Sequence, residues 1–165
     1  MSNEISELIN GLNAVELAER ADAAEQLAYL GEGARPAAVP LVRAAADPDE
    51  TVREWAAAAL EEMGPPDAAD AAALAELLDG TAEAAYWAAT LLGRLGAGAA
   101  ASVAQLKAVL DDNPSLAVRQ RAAWALGKIG IAAKSAEASL RKASASNDPR
   151  LSRLANQSLA EINSR

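Results

Sequence analysis

Four segments of the chain close on glycine at an almost constant interval. They are Ala24 to Gly31, Ala57 to Gly64, Ala89 to Gly96 and Ala123 to Gly130, and the glycines lie 33, 32 and 34 residues apart. A fifth, degenerate copy runs from Asn156 to Ile162 with Asn163 in the glycine's place. A period of this length marks a stack of small supersecondary units, each too thin to bury its own apolar face. This repeat constrains the fold more than any local feature.

Each copy reads as a helix. In the third, Ala84, Ala88, Leu92 and Leu95 recur at helical spacing; Val52, Ala56, Leu60, Met63 and Val118, Ala122, Leu126, Ile129 repeat the stripe. Asp47-Pro48, Asn113-Pro114 and Asp148-Pro149 each place an oxygen acceptor before a proline, the arrangement of an N-cap and the first helical residue. Asn13 with Glu16, and Thr81, are the matching caps of the other copies. The closing glycine suits a left-handed C-terminal residue. A second helix follows in each unit, marked by Leu41, Leu74, Leu106 and Leu140. Alanine pairs at 23–24, 56–57, 88–89 and 122–123 leave room for neighbouring helix backbones to approach.

Composition agrees. The chain holds 45 alanines and 21 leucines, the strongest helix formers, against only 15 Val, Ile and Thr together. The expected architecture is therefore all-α: an α-solenoid of about five helix pairs in a single domain spanning 1–165. Its repeats are 13–46, 47–80, 81–112 and 113–147, with a partial-repeat helix at 2–12 and a capping helix at 148–163. Asn156 and Ser158, where other copies carry Ala, and Ser152 suit a capping helix with one face to water.

The string Asp47-Pro48-Asp49-Glu50-Thr51-Val52-Arg53, echoed by Asn113-Pro114-Ser115-Leu116-Ala117-Val118-Arg119, precedes an alanine-rich helix ending in Leu-Gly or its equivalent. This pattern resembles the HEAT repeat, and in its short form the HEAT-like repeats of the phycobilisome-lyase type. The resemblance covers roughly 13–162. The third copy departs from it, with Ala85 in place of the arginine, as does the fifth, with Ser152. The resemblance implies that Arg53 and Arg119 pair with acidic loop residues of a neighbouring unit. It also implies two alternative activities: a bilin lyase-like accessory role on phycobiliproteins, and weak nucleic-acid binding through a basic C-terminal half.

The catalytic inventory is thin. With no histidine and no cysteine, Ser-His-Asp triads, thiol chemistry and Cys/His metal sites cannot be built. Glu61-Glu62 and Asp111-Asp112 are adjacent on helices and diverge by about 100°. Asp47, Asp49 and Glu50 lack the glycine and glutamate of a calcium loop, with Val52 and Ala58 at those places. Gly93, Gly96 and Gly98 do not follow the dinucleotide-binding order. No catalytic residue, metal or cofactor is expected, and the chain reads as a non-enzyme.

A binding role remains. The expected function is a scaffold or adaptor that holds a protein or peptide on a concave face lined by the second helices. Candidate lining residues are Pro40, Arg43, Ala73, Glu76, Gln105, Ala108, Ser139 and Lys142. Trp55 and Trp87 occupy the same place in consecutive repeats, either as filler between helices or as an aromatic ridge. Net charge is −8, unevenly spread: residues 1–82 carry −13 and residues 83–165 carry +5. An acidic chain is a poor default nucleic-acid binder, so no specific nucleic acid is expected. The basic end, around Lys128, Lys134, Arg141, Lys142, Arg150 and Arg153, could meet an acidic surface, either a partner's or another copy's. The second case predicts a monomer with weak, salt-sensitive self-association. The opening Met1-Ser2-Asn3-Glu4 has no leader pattern and no 18-residue apolar run exists, so the expectation is a cytoplasmic protein that meets no membrane.

Overall fold

A computed structural model describes residues 2–164; Met1, part of the leader reading, and Arg165 lie outside the described residues. The described residues hold α-helices and short 3-10 segments and no strand. The helices are α1 (Ser2–Gly11), α2 (Leu17–Tyr29), α3 (Ala38–Ala44), α4 (Glu50–Glu62), α5 (Ala71–Leu77), α6 (Ala82–Leu95), α7 (Val103–Asp112), α8 (Leu116–Ile129), α9 (Glu137–Ser144) and α10 (Pro149–Asn163). They fall into two compact units that divide after Asp70. In the first, α1 packs on α2, α2 on α4, and α3 on α4. In the second, α6, α8 and α10 pack in series, α7 and α9 pack on one another, and α5 lies against α6.

The stripes read from the sequence are the cores of these units. Leu27, Leu41 and Leu60 are fully buried in the first, and Leu74, Leu92, Leu106, Leu126 and Leu140 in the second. Each contributes roughly 1.5–3 kcal/mol through burial. Ala24, Ala56, Ala88, Ala89, Ala122 and Ala123 are equally buried, while Ala57 is half-buried.

The helix starts differ from expectation at three places. The N-cap of α4 is Asp49, whose carboxylate accepts from the Thr51 and Val52 amides, and that of α8 is Ser115, which accepts from Val118. Asp47 and Asn113 act two residues earlier, accepting the amides of Asp49 and Ser115 at 2.9 Å in Asx turns. Ser146 plays that part before Asp148, the true cap of α10, and Thr81 caps α6 as read. The caps at 49, 81, 115 and 148 now repeat at the same intervals as the glycines between them. Asn13 caps nothing; its amide donates to the Ile9 carbonyl, and α2 begins after Glu16 without a side-chain cap.

The closing glycines have positive φ, as expected, but Gly96 and Gly130 lack the left-handed helical ψ. Gly96 sits at φ 56°, ψ −131° and Gly130 at φ 77°, ψ −142°, close to a region that only glycine occupies readily. The chain then enters a seven-residue 3-10 segment, at 31–37, 96–102 and 130–136. Three residues per turn put the third and sixth positions after the glycine on one side. These positions are filled by small buried side chains: Ala34 and Ala37, Ala99 and Ser102, Ala133 and Ala136. In the second repeat they hold Asp67 and Asp70, and only Ala68–Asp70 winds into a 3-10 turn. The division between the two units falls at this link.

The last helix is less of a water-facing cap than its composition implied. Asn156 is exposed, but Ser158 is buried and its hydroxyl donates to the Ala123 carbonyl at 2.6 Å. It lies against Gly127, where an added Cβ would overlap the Ser158 side chain. Gly93 has the same function one repeat earlier: a Cβ there would run into the Trp124 ring. Close helix approach in the second unit therefore rests on glycines as well as alanines.

Candidate functional site

The second helices bury one side and expose the other. Arg43 on α3, Glu76 on α5, Gln105 and Ala108 on α7, and Lys142 on α9 are exposed, while Pro40 and Ala73 are half-buried. The Arg43, Glu76 and Lys142 side chains make no ion pair or hydrogen bond among the described residues. Ser139 must be removed from this set. It is buried, and its hydroxyl donates to Asp111 at 2.9 Å, which ties α9 to the end of α7.

The arginines at helix starts have a different task from the one the resemblance implied. Arg53 donates twice, at 2.8 Å, to the carbonyls of Asp47 and Pro48, and Arg119 donates to Leu110 at 2.9 Å. Arg53 thus ties down carbonyls of the turn before its own helix, and Arg119 one in the last turn of the preceding helix, α7. Arg20, at the same repeat position, does this with Ala14 and Val15 and also pairs with the Asp47 carboxylate at 2.8 Å. In the fifth copy Ser152 does it with a hydroxyl, donating to Ser144.

Trp55 and Trp87 are both half-buried, and each meets a tyrosine of its own unit. Trp55 tilts against Tyr29 with ring centroids 5.8 Å apart, and Trp87 sets its edge on Tyr86 at 5.5 Å. The sequence reading missed the cluster beside Trp87. Arg121 on α8 lies 4.8 Å from the Tyr86 ring centroid and 5.2 Å from that of Trp124, within cation–π range of both. Its guanidinium also donates to the Tyr86 hydroxyl. A signal was present: Arg121 occupies in the fourth repeat the place of Trp55 and Trp87 in the second and third. Tyr86, Ala117, Gln120, Arg121, Trp124, Arg150 and Leu154 line a pocket of about 240 Å³ between α6, α8 and α10.

Local charges are partly neutralised. Arg141 on α9 and Lys134 in the preceding 3-10 segment lie 2.7 and 3.0 Å from Glu137, and these two hydrogen bonds, Arg141 first, hold its carboxyl below the ordinary value. Lys128 pairs with Glu161 at 3.2 Å. Of the six basic residues singled out at the C-terminal end, Lys142, Arg150 and Arg153 remain without an ion pair among the described residues. The Asp148 carboxyl is held low, chiefly by the Leu151 amide and then by Gln120. Asp70 is pushed the other way, by burial and then by the neighbouring Asp67 carboxylate. Among the described residues no group of three or more acidic side chains is placed to hold a metal ion. None of their helices is long and apolar enough to cross a membrane.

Helix pairs repeated along a chain, with first helices packing on first helices, define an α-solenoid. Family models assign it: HEAT repeats match residues 5–82, and the PBS lyase HEAT-like repeat matches residues 118–146. The chain is a HEAT-repeat protein. No curated protein matches it. Among solved structures it is similar to a designed armadillo repeat protein in complex with the peptide (KR)4, at 19% identity and a TM-score of 0.67 over 98% of this chain and 83% of that one. An engineered protein matches at 23% identity and a TM-score of 0.65 over 97% of this chain and 79% of its own. A second engineered protein gives 22% and 0.62 over 97% of this chain and 48% of its own. At these identities the likeness is one of fold.

Proposed function

We propose that this protein is a non-catalytic scaffold that binds an extended peptide or a protein segment on the exposed side of the second helices within a unit. The observation that carries this is the recurrence of exposed, unpaired polar side chains there: Arg43, Glu76 and Lys142 stand on second helices of three different repeats. A helical repeat presents equivalent positions at regular intervals, which suits a ligand that is itself extended. The designed armadillo repeat protein, of the same general fold, was crystallised with a peptide, which supports this reading. Mixed charge on these positions favours a partner of mixed charge, oriented by complementarity more than held by area.

The test is selection of binders from a displayed peptide library, followed by the charge reversals Arg43→Glu, Glu76→Lys and Lys142→Glu. Each reversal on the binding side is expected to weaken a selected peptide by roughly tenfold, the equivalent of about 1.4 kcal/mol. Selected peptides that ignore all three reversals would remove this side as the binding surface.

A further inference from the structure

The pocket between α6, α8 and α10 lies on first helices, apart from the residues of the preceding proposal and independent of it. Its chemistry is unusual for this molecule. Apart from the solvent-exposed Arg43 and Arg153, the arginines with described contacts away from this pocket are satisfied: Arg20 by Asp47, Arg35 by Glu32, Arg141 by Glu137, and Arg53 and Arg119 by carbonyls. Arg121 is not. Its side chain makes one hydrogen bond among the described residues, to the neutral Tyr86 hydroxyl, and it meets no carboxylate. Contact with the Tyr86 and Trp124 rings holds the guanidinium in place while leaving most of its five N–H donors unengaged.

A second cation enters the same pocket from α10. Arg150 is exposed, and its side chain has no ion pair among the described residues. Arg121 and Arg150 both line this cavity, and an anion seated between them would be attracted to both. The nearby Asp148 carboxylate attracts Arg150 but forms no ion pair with either arginine. Asp148 is engaged in capping α10, accepting from the Leu151 amide at 2.6 Å and from Gln120 at 2.9 Å. Its negative charge also selects the ligand. A doubly charged phosphate would be repelled more than a singly charged carboxylate. The aromatic and Leu154 walls suit the methylenes of a glutamate, and about 240 Å³ is room for one such side chain.

We propose that this pocket is a carboxylate-binding subsite, in which Arg121 and Arg150 clasp the side chain of a glutamate in an acidic peptide segment. Arg121 supplies the pre-oriented fork, for which lysine is a poor substitute. Arg150 closes on the ligand from the neighbouring helix.

The experiment is an NMR titration of the whole chain with a capped tetraglutamate peptide, following the Trp124 indole N–H and the Arg121 side-chain N–H. Capped tetralysine, inorganic phosphate and sodium chloride at matched ionic strength are the comparisons. Saturable shifts at Trp124 and Arg121 with tetraglutamate alone are expected. Removing one charge-assisted contact by Arg150→Gln should weaken binding roughly tenfold or more. Arg121→Lys, which keeps the charge and loses the planar fork, should weaken it similarly. Arg150 is exposed at a helix start, so its variant retains the fold and keeps the test decisive even if the Arg121 variant loosens the pocket. Shifts reproduced by sodium chloride, tighter binding of phosphate than of the peptide, or unchanged affinity in Arg150→Gln would each overturn the proposal.

Discussion

The two units are built from one repeat and have diverged in opposite directions. Residues up to Asp70 carry four basic and 15 acidic groups, whereas those from Ala71 onward carry 11 basic and eight acidic. The interiors differ as well. Three residues before the closing glycine, the first unit has Ala28 and Glu61, and the second has Gly93 and Gly127. Glu61 is exposed, while both glycines are buried beneath a side chain of the next first helix, Trp124 or Ser158. The lesson is that a repeat fixes where helices start and stop, while the residues between them set how tightly they pack and what they present. In the first unit that freedom went into an acidic surface. In the second it went into a tight row of first helices with an arginine-lined pocket.

The sharpest way to break this comparison is at the glycines. Gly93→Ala should destabilise the protein by roughly 1–3 kcal/mol, because the rigid Trp124 ring cannot withdraw as a flexible chain could. Glu61→Ala, at the equivalent exposed position, should stay within about 0.5 kcal/mol. Urea melts of both variants measure the contrast, and combining Gly93→Ala with Trp124→Ala should show coupling if the ring is the cause. Equal effects at both sites would mean that the units pack alike.

A smaller effect is expected at the link between them. Replacing Asp67 and Asp70 with Ala restores the buried small residues of the other three links. It should raise stability by roughly 0.5–2 kcal/mol, in the range of substitutions that restore a repeat's pattern. Thermal melting reads this directly, and a fall in melting temperature would show that the carboxylates hold the link in place.

The caps come next. Asp49→Ala in the first unit and Ser115→Ala in the second should each cost about 1 kcal/mol. Asn113→Ala should cost less than Asp47→Ala, because Asp47 also holds Arg20 and its loss leaves that guanidinium short of a partner. Denaturant midpoints for the four variants rank them; equal losses for Asn113→Ala and Asp47→Ala would deny the Arg20 pair any weight.

The smallest effects are electrostatic and opposite in sign. Asp148 titrates below its unfolded value, so it adds stability above the unfolded pKa of about 3.9 and loses it as pH falls through the folded pKa. Asp70 titrates above its unfolded value, so its ionised form weakens the fold, and the penalty is relieved as pH falls. Asp148→Asn keeps an N-cap oxygen without the charge and should melt slightly lower than the parent near pH 6. Asp70→Asn should melt slightly higher. Both differences should fade as pH falls, each through the folded pKa of its own carboxyl. Differences of the same sign would contradict the assignment.

Helix number, repeat length, the core leucines and the closing glycines were legible because they depend on periodicity, which one chain displays along its own length. The caps were read two residues early at Asp47 and Asn113: Asx turn and N-cap use the same residue types, and only backbone geometry separates them. The departure at Asp67 and Asp70 is visible in the sequence in principle, since aligning the links by their glycines shows Asp where the others have small residues. By position in the repeat, Ser139 reads as a lining residue of the binding face and Ser158 as a residue of a capping helix with one face to water. Their burial follows from packing against Asp111 and Ala123, some 28 and 35 residues away in sequence. The register of Arg121 with Trp55 and Trp87 marks its position, but the pocket itself is not legible in the sequence, because Tyr86, Arg121 and Arg150 belong to three repeats. The sequence by itself determined the repeat, its helices and its apolar stripes, since these follow from local propensity and spacing. The tertiary structure alone decided which polar groups meet, because that depends on the rotation of each helix against the next.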